Sequence, residues 1–566
     1  MKQVILLCLT AVLVAFCAAG AHAQVTIDTA FTLAGQIRPS DYPQWPDSVG
    51  AEKVLSGFDI NKNGKKEFVV LADPAWAQAL PNVYRPYLFW FEANGDNTYK
   101  LLWSTQIPGK NAGDYSYPDF TVADIDKDGN MEITVVVPRW RTDAEDALLY
   151  IYEFDNGAFP TDPTISSDLS LRKGMQYRAT HVQVDDVDND GENEVVVTSR
   201  ADDYGGAGAG RTLMVHHFFG GDINPGTFGY FEREFIDSSA VLKGGSVYEF
   251  GIVDFDKDGK KEIWVSTWDL LSLAIYEATA KDTYVLQADI NQARPANDVG
   301  IRKSMRWYDA DKDGKLEYYC AGITDASNPG NLYMIPSTND VSTLTTASFV
   351  TLTPDLEQID TWTYEGADIG DVNGDGRMDY IVAGAGIRRE IFWYQYKGSG
   401  SPADSSNYRM SDMYKDISPT TEHFNLKTLN IGNDIDGDGK KEIFLCNLSP
   451  KNGTNDAAII ILESKRISTS VDRVNGILPE GFSLNQNYPN PFNPMTEIGF
   501  AIPASGFVSL RVFDMVGREI VTLVNRELSA GAYKASFDAS GLPSGTYFYT
   551  LKAGTFVETK KMLLLK

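Results

Sequence analysis

The chain is 566 residues long and carries 77 acidic against 50 basic side chains, a formal net charge of −27, with four cysteines. That length exceeds what one hydrophobic core usually organises, so two or more domains are expected. So acidic a chain lacks the basic surface that nucleic acid demands, which excludes DNA or RNA as a partner.

At the start, Lys2 supplies a positive end, residues 4–19 are largely apolar, and Ala21-His22-Ala23 offers a small-residue cleavage site before Gln24. Residues 1–23 therefore read as a secretory signal peptide, too short and wrongly flanked for a membrane span. A lipoprotein reading would anchor Cys17, but bulky Phe16 before it fits poorly. No later stretch of 18 or more apolar residues follows, so no transmembrane segment is expected. Cys8 and Cys17 leave with the signal. Cys320 and Cys446 lie in apolar strand-like runs and are expected as two buried thiols rather than a disulfide.

From residue 24 one loop recurs at spacings of 65, 62, 68, 55, 62 and 63 residues. Its positions 1, 3, 5 and 9 are Asp59, Asn61, Asn63 and Glu67 in the first copy, and Asp124, Asp126, Asp128 and Glu132 in the second. The third has Asp186, Asp188, Asp190 and Glu194; the fourth has Asp254, Asp256, Asp258 and Glu262. The fifth has Asp309, Asp311, Asp313 and Glu317, and the sixth has Asp371, Asn373, Asp375 and Asp379. The seventh has Asp434, Asp436, Asp438 and Glu442, and position 6 is glycine in every copy. Alternating oxygen donors of this kind suit a hard cation, and Ca²⁺ takes about six to eight oxygens in forgiving geometry. With no ion, each pair of such carboxylates would repel by about 1–4 kcal/mol, depending on the effective dielectric.

An EF-hand needs an acidic ligand at position 12 and a following helix. Position 12 here is Val70, Val135, Val197, Val265, Cys320, Val382 and Leu445, all apolar, so that reading fails. Apolar residues at positions 10 and 12 instead describe a strand leaving the loop. Second strand pairs follow in runs such as PYLFWFEANGDNTYKLLWS, where two apolar stretches flank an Asn-Gly turn. About four strands per unit, seven times over, predict an all-β domain at 24–468 built as a seven-bladed β-propeller, favoured over the alternative of a solenoid of β-units.

These repeats resemble the FG-GAP and VCBS repeats, the calcium-loop blades of integrin α-subunit propellers and many bacterial surface proteins. The resemblance implies that the side chains at positions 1, 3, 5 and 9 are calcium ligands, up to seven structural ions in all, with the position 7 carbonyl completing each set. The first loop departs most, with Asn61 and Asn63 replacing carboxylates, and is expected to be the weakest.

Residues 469–480 are polar and read as a linker. Residues 481–566 alternate strand-like runs with glycine-rich turns and predict a small immunoglobulin-like β-sandwich. NYPNPFNP at Asn487–Pro494, the Asp514–Ile520 run, LPSGTYFY and the terminal KKMLLLK resemble the C-terminal sorting domain of type IX secretion substrates. That resemblance implies type IX machinery as a partner and export across the outer membrane, to the cell surface or the medium.

Four histidines remain after the signal: His181, His216, His217 and His423. His181 reads as a packed or capping group. His216 and His217 are strand neighbours that point to opposite faces and so do not converge on one metal. The stretch 204–211 is glycine-rich but lies between strands, unlike a phosphate loop. Trp45 and Trp140 are the exposed-looking candidates for sugar-stacking platforms, and Trp90, Trp264 and Trp393 fall inside strand runs; packing in the core is the favoured reading of the tryptophans. No catalytic motif is present. The leading reading is a non-catalytic binding or adhesion protein contacting glycan or protein. The alternative is a polysaccharide lyase or hydrolase, which would need acids, Arg or Tyr clustered near the propeller channel.

Overall fold

The computed structural model describes residues 25–565 apart from 47–48, 74–84, 109–117, 139–147, 168, 170–177, 201–210, 220–222, 224–230, 238–241, 243–246, 268–271, 292–299, 302, 324–331, 353–362, 386–389, 417–425, 433, 449–455, 466–470, 475–478, 480, 494, 505, 529 and 540–541. The signal peptide expected at 1–23, Trp140, His423 and residues 204–210 of the glycine-rich stretch lie outside the described residues. The chain divides into two compact units, with Ser464–Lys566 in the second. Helical structure among the described residues is confined to short 3-10 turns such as Pro39–Asp41, and no helix there is long and apolar enough to cross a membrane.

The first unit holds seven antiparallel sheets among the described residues, each a meander built around one of the loops. Sheet one comprises Gly50–Phe58, Glu67–Asp73, Tyr87–Gly95 and Thr98–Gln106. Sheet two comprises Asp119–Ala123, Glu132–Val136, Leu149–Glu153 and Ile165–Ser167; sheet three comprises Arg178–Asp185, Glu194–Arg200, Thr212–Phe218 and Phe231–Asp237. Sheet four runs through Val247–Val253, Glu262–Thr267, Ser272–Ala280 and Thr283–Asn291. In sheet five the first strand is broken into Gly300–Ile301 and Arg306–Tyr308, followed by Glu317–Ile323, Leu332–Ile335 and Val350–Thr351. Sheet six comprises Thr363–Gly370, Asp379–Ala385, Glu390–Tyr396 and Tyr408–Asp416, with Val25–Ile27 added at its outer edge. Sheet seven takes three strands from Leu426–Ile431, Glu442–Asn447 and Ile459–Ser464, and its fourth from the beginning of the chain, Phe31–Ile37.

Second and third strands of most sheets are buried on both faces, which explains their unbroken apolar runs. Successive sheets share cores, such as Trp90, Ile133 and Tyr152 between sheets one and two. The series returns on itself, because Phe444 and Ile461 of sheet seven pack with Phe68 and Phe89 of sheet one. Trp45 joins this last core, stacked on Phe89 at 4.1 Å with its Nε1 donating to the Val49 carbonyl at 2.9 Å. Trp45, an exposed-looking candidate for sugar stacking, is thus core: the turn before sheet one folds the ring inward, where its area is worth more than at the surface. Trp90, Trp264 and Trp393 are core, and Cys320 and Cys446 are buried free thiols.

First strands pack against one another between most successive sheets, sheet seven against sheet one included. A chain of polar side chains runs between them. Lys53 pairs with Asp119 at 2.7 Å, and the other oxygen of Asp119 meets His181 Nδ1 at 2.6 Å and the N–H of Val182 at 3.1 Å. Thr180 donates to the Val247 carbonyl at 2.8 Å, and Glu249 holds Arg306 at 2.8 Å. Arg306 Nε donates to Asp368 at 3.2 Å, Asp368 accepts the N–H of Ile431 at 2.7 Å, and Asn430 pairs with Ser56. Burial alone would raise the pKa of Asp119, but Lys53 and His181 hold it well below the ordinary carboxylate range. His181 is accordingly a paired, buried group.

In the second unit two four-stranded sheets share one core. One orders Val471–Val474, Gly531–Asp538, Met495–Ile502 and Ser483–Leu484; the other orders Glu519–Leu528, Gly506–Phe513, Gly545–Ala553 and Phe556–Leu564. The expected linker therefore contributes a strand, since Val471–Val474 pairs with Ala532–Ala535. The Asn-Pro motif is latched from within: Asn487 Nδ2 donates to Thr496 Oγ1 at 2.9 Å, and its N–H to Tyr549 Oη at 2.8 Å.

Removing Asp119 strands the buried Lys53 and His181. Asp119→Ala is expected to lower unfolding free energy by about 3–5 kcal/mol. The double variant Lys53→Met/Asp119→Leu should recover most of that loss in denaturant melts, and equal losses in both would contradict the pairing.

Candidate metal centres

Every loop joins the first strand of its sheet to the second, and position 9 opens that second strand. The position 9 carboxylate accepts the N–H of position 2 in all seven: Ile60 to Glu67 at 2.6 Å, Ile125 to Glu132, Val187 to Glu194 at 2.7 Å, Phe255 to Glu262 at 2.8 Å, Ala310 to Glu317 at 2.9 Å, Val372 to Asp379 at 2.9 Å and Ile435 to Glu442 at 2.6 Å. Position 3 accepts the N–H of position 5 throughout, at 2.9–3.3 Å. Position 5 accepts the N–H of position 7 in loops one to five and seven, at 2.6–2.9 Å. Position 1 accepts the glycine N–H of position 6 in loops one, two, three, five and six, at 2.8–3.1 Å. Backbone donors thus fix the donor side chains, and at position 3 of loops two, three and four a second backbone N–H, from Ile223, Asp282 and Val341 respectively, takes the other oxygen.

Two residues of each loop turn left-handed. Position 6 has φ of 80–97°. A Cβ at Gly64, Gly191, Gly259 or Gly314 would meet nothing within 4 Å, so backbone conformation and not space demands glycine. Position 4 is also left-handed, at Lys62, Lys127, Asn189, Lys257 and Lys312 as well as Gly374 and Gly437. Its side chain reaches the next loop: Lys62 to Asn130 at 3.3 Å, Asn189 to the Gly259 carbonyl at 3.2 Å, Lys127 to Gly191 and Lys312 to Gly376. Position 8 reaches back, Asn193 to the Asp124 carbonyl at 2.7 Å and Lys261 to the Asp186 carbonyl at 2.8 Å.

The remaining oxygens converge. Ligand atoms of Asp124, Asp126, Asp128 and Glu132 lie within 4.8 Å of one another, as do those of Asp254, Asp256, Asp258 and Glu262, and those of Asp186, Asp188 and Glu194. Asp190 instead pairs with Lys281 at 2.6 Å. In these three loops Asp124, Asp186 and Asp254 Oδ1 and Glu132, Glu194 and Glu262 Oε1 are buried with no hydrogen-bond partner. Burial, with the neighbouring acids, pushes Glu194 and Glu262 up to about 8, and drives Glu132 far above the carboxylate range with Glu153 beside it. Buried, unpartnered, mutually repelling oxygens form a donor set that fits a hard divalent cation.

One class of site residue escaped the sequence reading. Cross-strand from the position 9 acids stand Glu92, Glu153, Glu277 and Glu463 in sheets one, two, four and seven. Like charges directly opposite are unfavourable without a counter-charge. The signal was visible as an acid closing each third-strand apolar run, in FWFE, YIYE, AIYE and IILE. In loop one Glu92 takes hydrogen bonds from Asn61 at 3.1 Å and from Asn63, and an ion pair from Lys65 at 2.9 Å. In loop six Trp393 Nε1 donates to Asp379 Oδ1 at 2.8 Å. Loops one and six, which depart in sequence, thus carry additional local hydrogen bonds, while Glu67 Oε1 of loop one stays buried without a partner as in loops two to four. His216 and His217 pair cross-strand with Val195 and Glu194, and burial lowers the His216 pKa to about 4.

Comparison with known proteins adds two family matches. Residues 59–135 and 371–445 match the FG-GAP-like repeat, and residues 486–565 match the secretion system C-terminal sorting domain. No curated protein sequence matches. Among solved structures, a fungal alcohol oxidase of the AA5 family in complex with copper is 11% identical with a TM-score of 0.39, covering 92% of this chain and 98% of that one. The periplasmic gluconolactonase PpgL of Pseudomonas aeruginosa is 8% identical with a TM-score of 0.40, covering 62% and 84%. A β-fructofuranosidase of Schwanniomyces occidentalis is 8% identical with a TM-score of 0.28, covering 95% and 92%. The chain carries FG-GAP-like repeats and a type IX C-terminal sorting domain, and it is a protein exported across the outer membrane to the cell surface or the extracellular space.

Proposed function

We propose that the seven sheets are the blades of a propeller closed around a common axis, and that calcium ions in the loops brace it. The second unit is read as an immunoglobulin-like sandwich that addresses the chain to type IX machinery. The exported propeller then serves as a non-catalytic binding or adhesion module for glycan or protein at the cell surface. One observation carries the calcium reading: in loops two, three and four the acids of positions 1 and 9 each bury an oxygen with no hydrogen-bond partner. An ion there removes a desolvation penalty that nothing else nearby offsets. Closure of the inter-sheet cores from sheet seven back to sheet one supports the ring.

The polysaccharide-active alternative would draw its acids and bases from the first strands, where Lys53, Asp119, His181, Glu249, Arg306 and Asp368 gather. These groups pair with one another across neighbouring sheets, which supports a bracing role over an acid–base one. Turnover of any member of a polysaccharide panel by the purified chain would favour the enzyme.

EDTA is expected to lower the melting temperature by on the order of 10 °C, as ions bound well above their dissociation constants each contribute about 2–3 kcal/mol. Calcium restores it, and an unchanged melt would count against the reading. Calorimetry should place loop one among the weakest sites, since Asn61 and Asn63 face Glu92. The Gly259→Ala variant should lose about 1–2 kcal/mol through left-handed strain alone.

The metal-free chain should respond to pH in the unusual sense. Glu194 and Glu262 sit at about 8 in the fold against an ordinary 4.5, so the folded state holds more protons between those values. Stability of the metal-free protein is therefore greatest at the acid end of this window and falls as pH rises from about 4.5 to about 8. Saturating calcium abolishes that slope; chemical denaturation across the window reads both.

A further inference from the structure

Sheet three differs from its neighbours at the position facing the loop acid. Where sheets one, two, four and seven place glutamate, sheet three places His217, directly cross-strand from Glu194. On the far side of His217 the pairing with the fourth strand slips between Val215 and His216, leaving Glu234 as the extra residue. A bulge of this kind re-aims a side chain, and Glu234 Oε1 comes to 3.4 Å from His217 Nδ1. Glu194 Oε1 lies 3.8 Å from the same nitrogen. Both His217 Nδ1 and Glu194 Oε1 are buried with no hydrogen-bond partner, and the two residues are 8% and 0% exposed.

We propose that Glu194, His217 and Glu234 form a transition-metal site of zinc type in sheet three, distinct from the loop-three cation but adjoining it through the shared carboxylate of Glu194. One imidazole nitrogen and two carboxylate oxygens are the donor class zinc takes, where calcium takes oxygen alone. The spacing fits as well. Metal–ligand bonds of about 2.1 Å in a tetrahedron put neighbouring donors about 3.4 Å apart. Glu234 is already there, and Glu194 closes the difference with a small side-chain rotation. Tyr284 Oη donates to Glu234 Oε2 at 3.2 Å and so orients that ligand from outside. Glu194 then serves two neighbours: Oε2 stays on the Val187 N–H, while Oε1 faces both the loop and the imidazole. The fourth coordination place is open to water on the side of partly exposed Glu234.

The test uses the full mature chain, stripped with EDTA, reloaded with excess calcium, exposed to zinc and desalted, with both metals counted. Expected is one zinc retained per chain with no calcium released, and a tetrahedral visible spectrum when cobalt replaces zinc. His217→Gln should abolish retention while circular dichroism and calcium content stay unchanged. Glu234→Gln, which alters a side chain at the edge of the sheet, should weaken zinc binding on the order of tenfold or more. No retained zinc, retention unaffected by either variant, or zinc that displaces a calcium ion one for one would each overturn the proposal. Calcium content, read in the same samples, reports separately on the loops.

Discussion

The structure depends on carboxylates buried with only half of their hydrogen-bonding capacity used. Position 9 of each loop gives one oxygen to a backbone N–H, and in loops two to four the other oxygen faces the matching oxygen of position 1 with nothing between them. Burial of an unpaired carboxylate is costly and a cluster of them more so. The third-strand acids opposite deepen the same field. A divalent ion, as proposed, would resolve these repulsions at once and would also fix the turn that sends each first strand into its second.

Around that element two circuits of polar contacts tie the sheets together. One runs along the first strands, from Lys53 through Asp119 and His181 to Arg306, Asp368 and Asn430. The other runs between loops, where position 4 reaches forward and position 8 reaches back. Apolar cores supply most of the burial, while these contacts fix register between neighbouring sheets. The outer strand of the last sheet comes from the beginning of the chain, so the two ends of the repeat array are held in one hydrogen-bonded sheet.

Much of this was legible in the sequence for physical reasons. The loops announce themselves because their turn puts oxygen-bearing side chains on alternate positions, and apolar residues at positions 10 and 12 reveal the strand behind them. Partners brought together by sheet register were harder to see. Glu92, Glu153, Glu277 and Glu463 each end an apolar run, but only pairing shows that they face the loop acids. The Lys53–Asp119–His181 contact joins residues more than sixty positions apart, and no local pattern encodes it. The place of Trp45 was equally hidden, because stacking on Phe89, more than forty positions away, decides it. Val471–Val474 sits in a polar stretch and takes strand form only through its partner.

On the calcium reading proposed above, the stability of this exported chain would depend on the metal content of its surroundings. The most direct examination of that idea is anomalous diffraction from crystals grown with calcium or a lanthanide substitute. The account predicts peaks in loops two, three and four, about 2.3–2.6 Å from the open oxygens of Asp124 and Glu132, Asp186 and Glu194, and Asp254 and Glu262. Ordered loops with no anomalous density at those oxygens would contradict it.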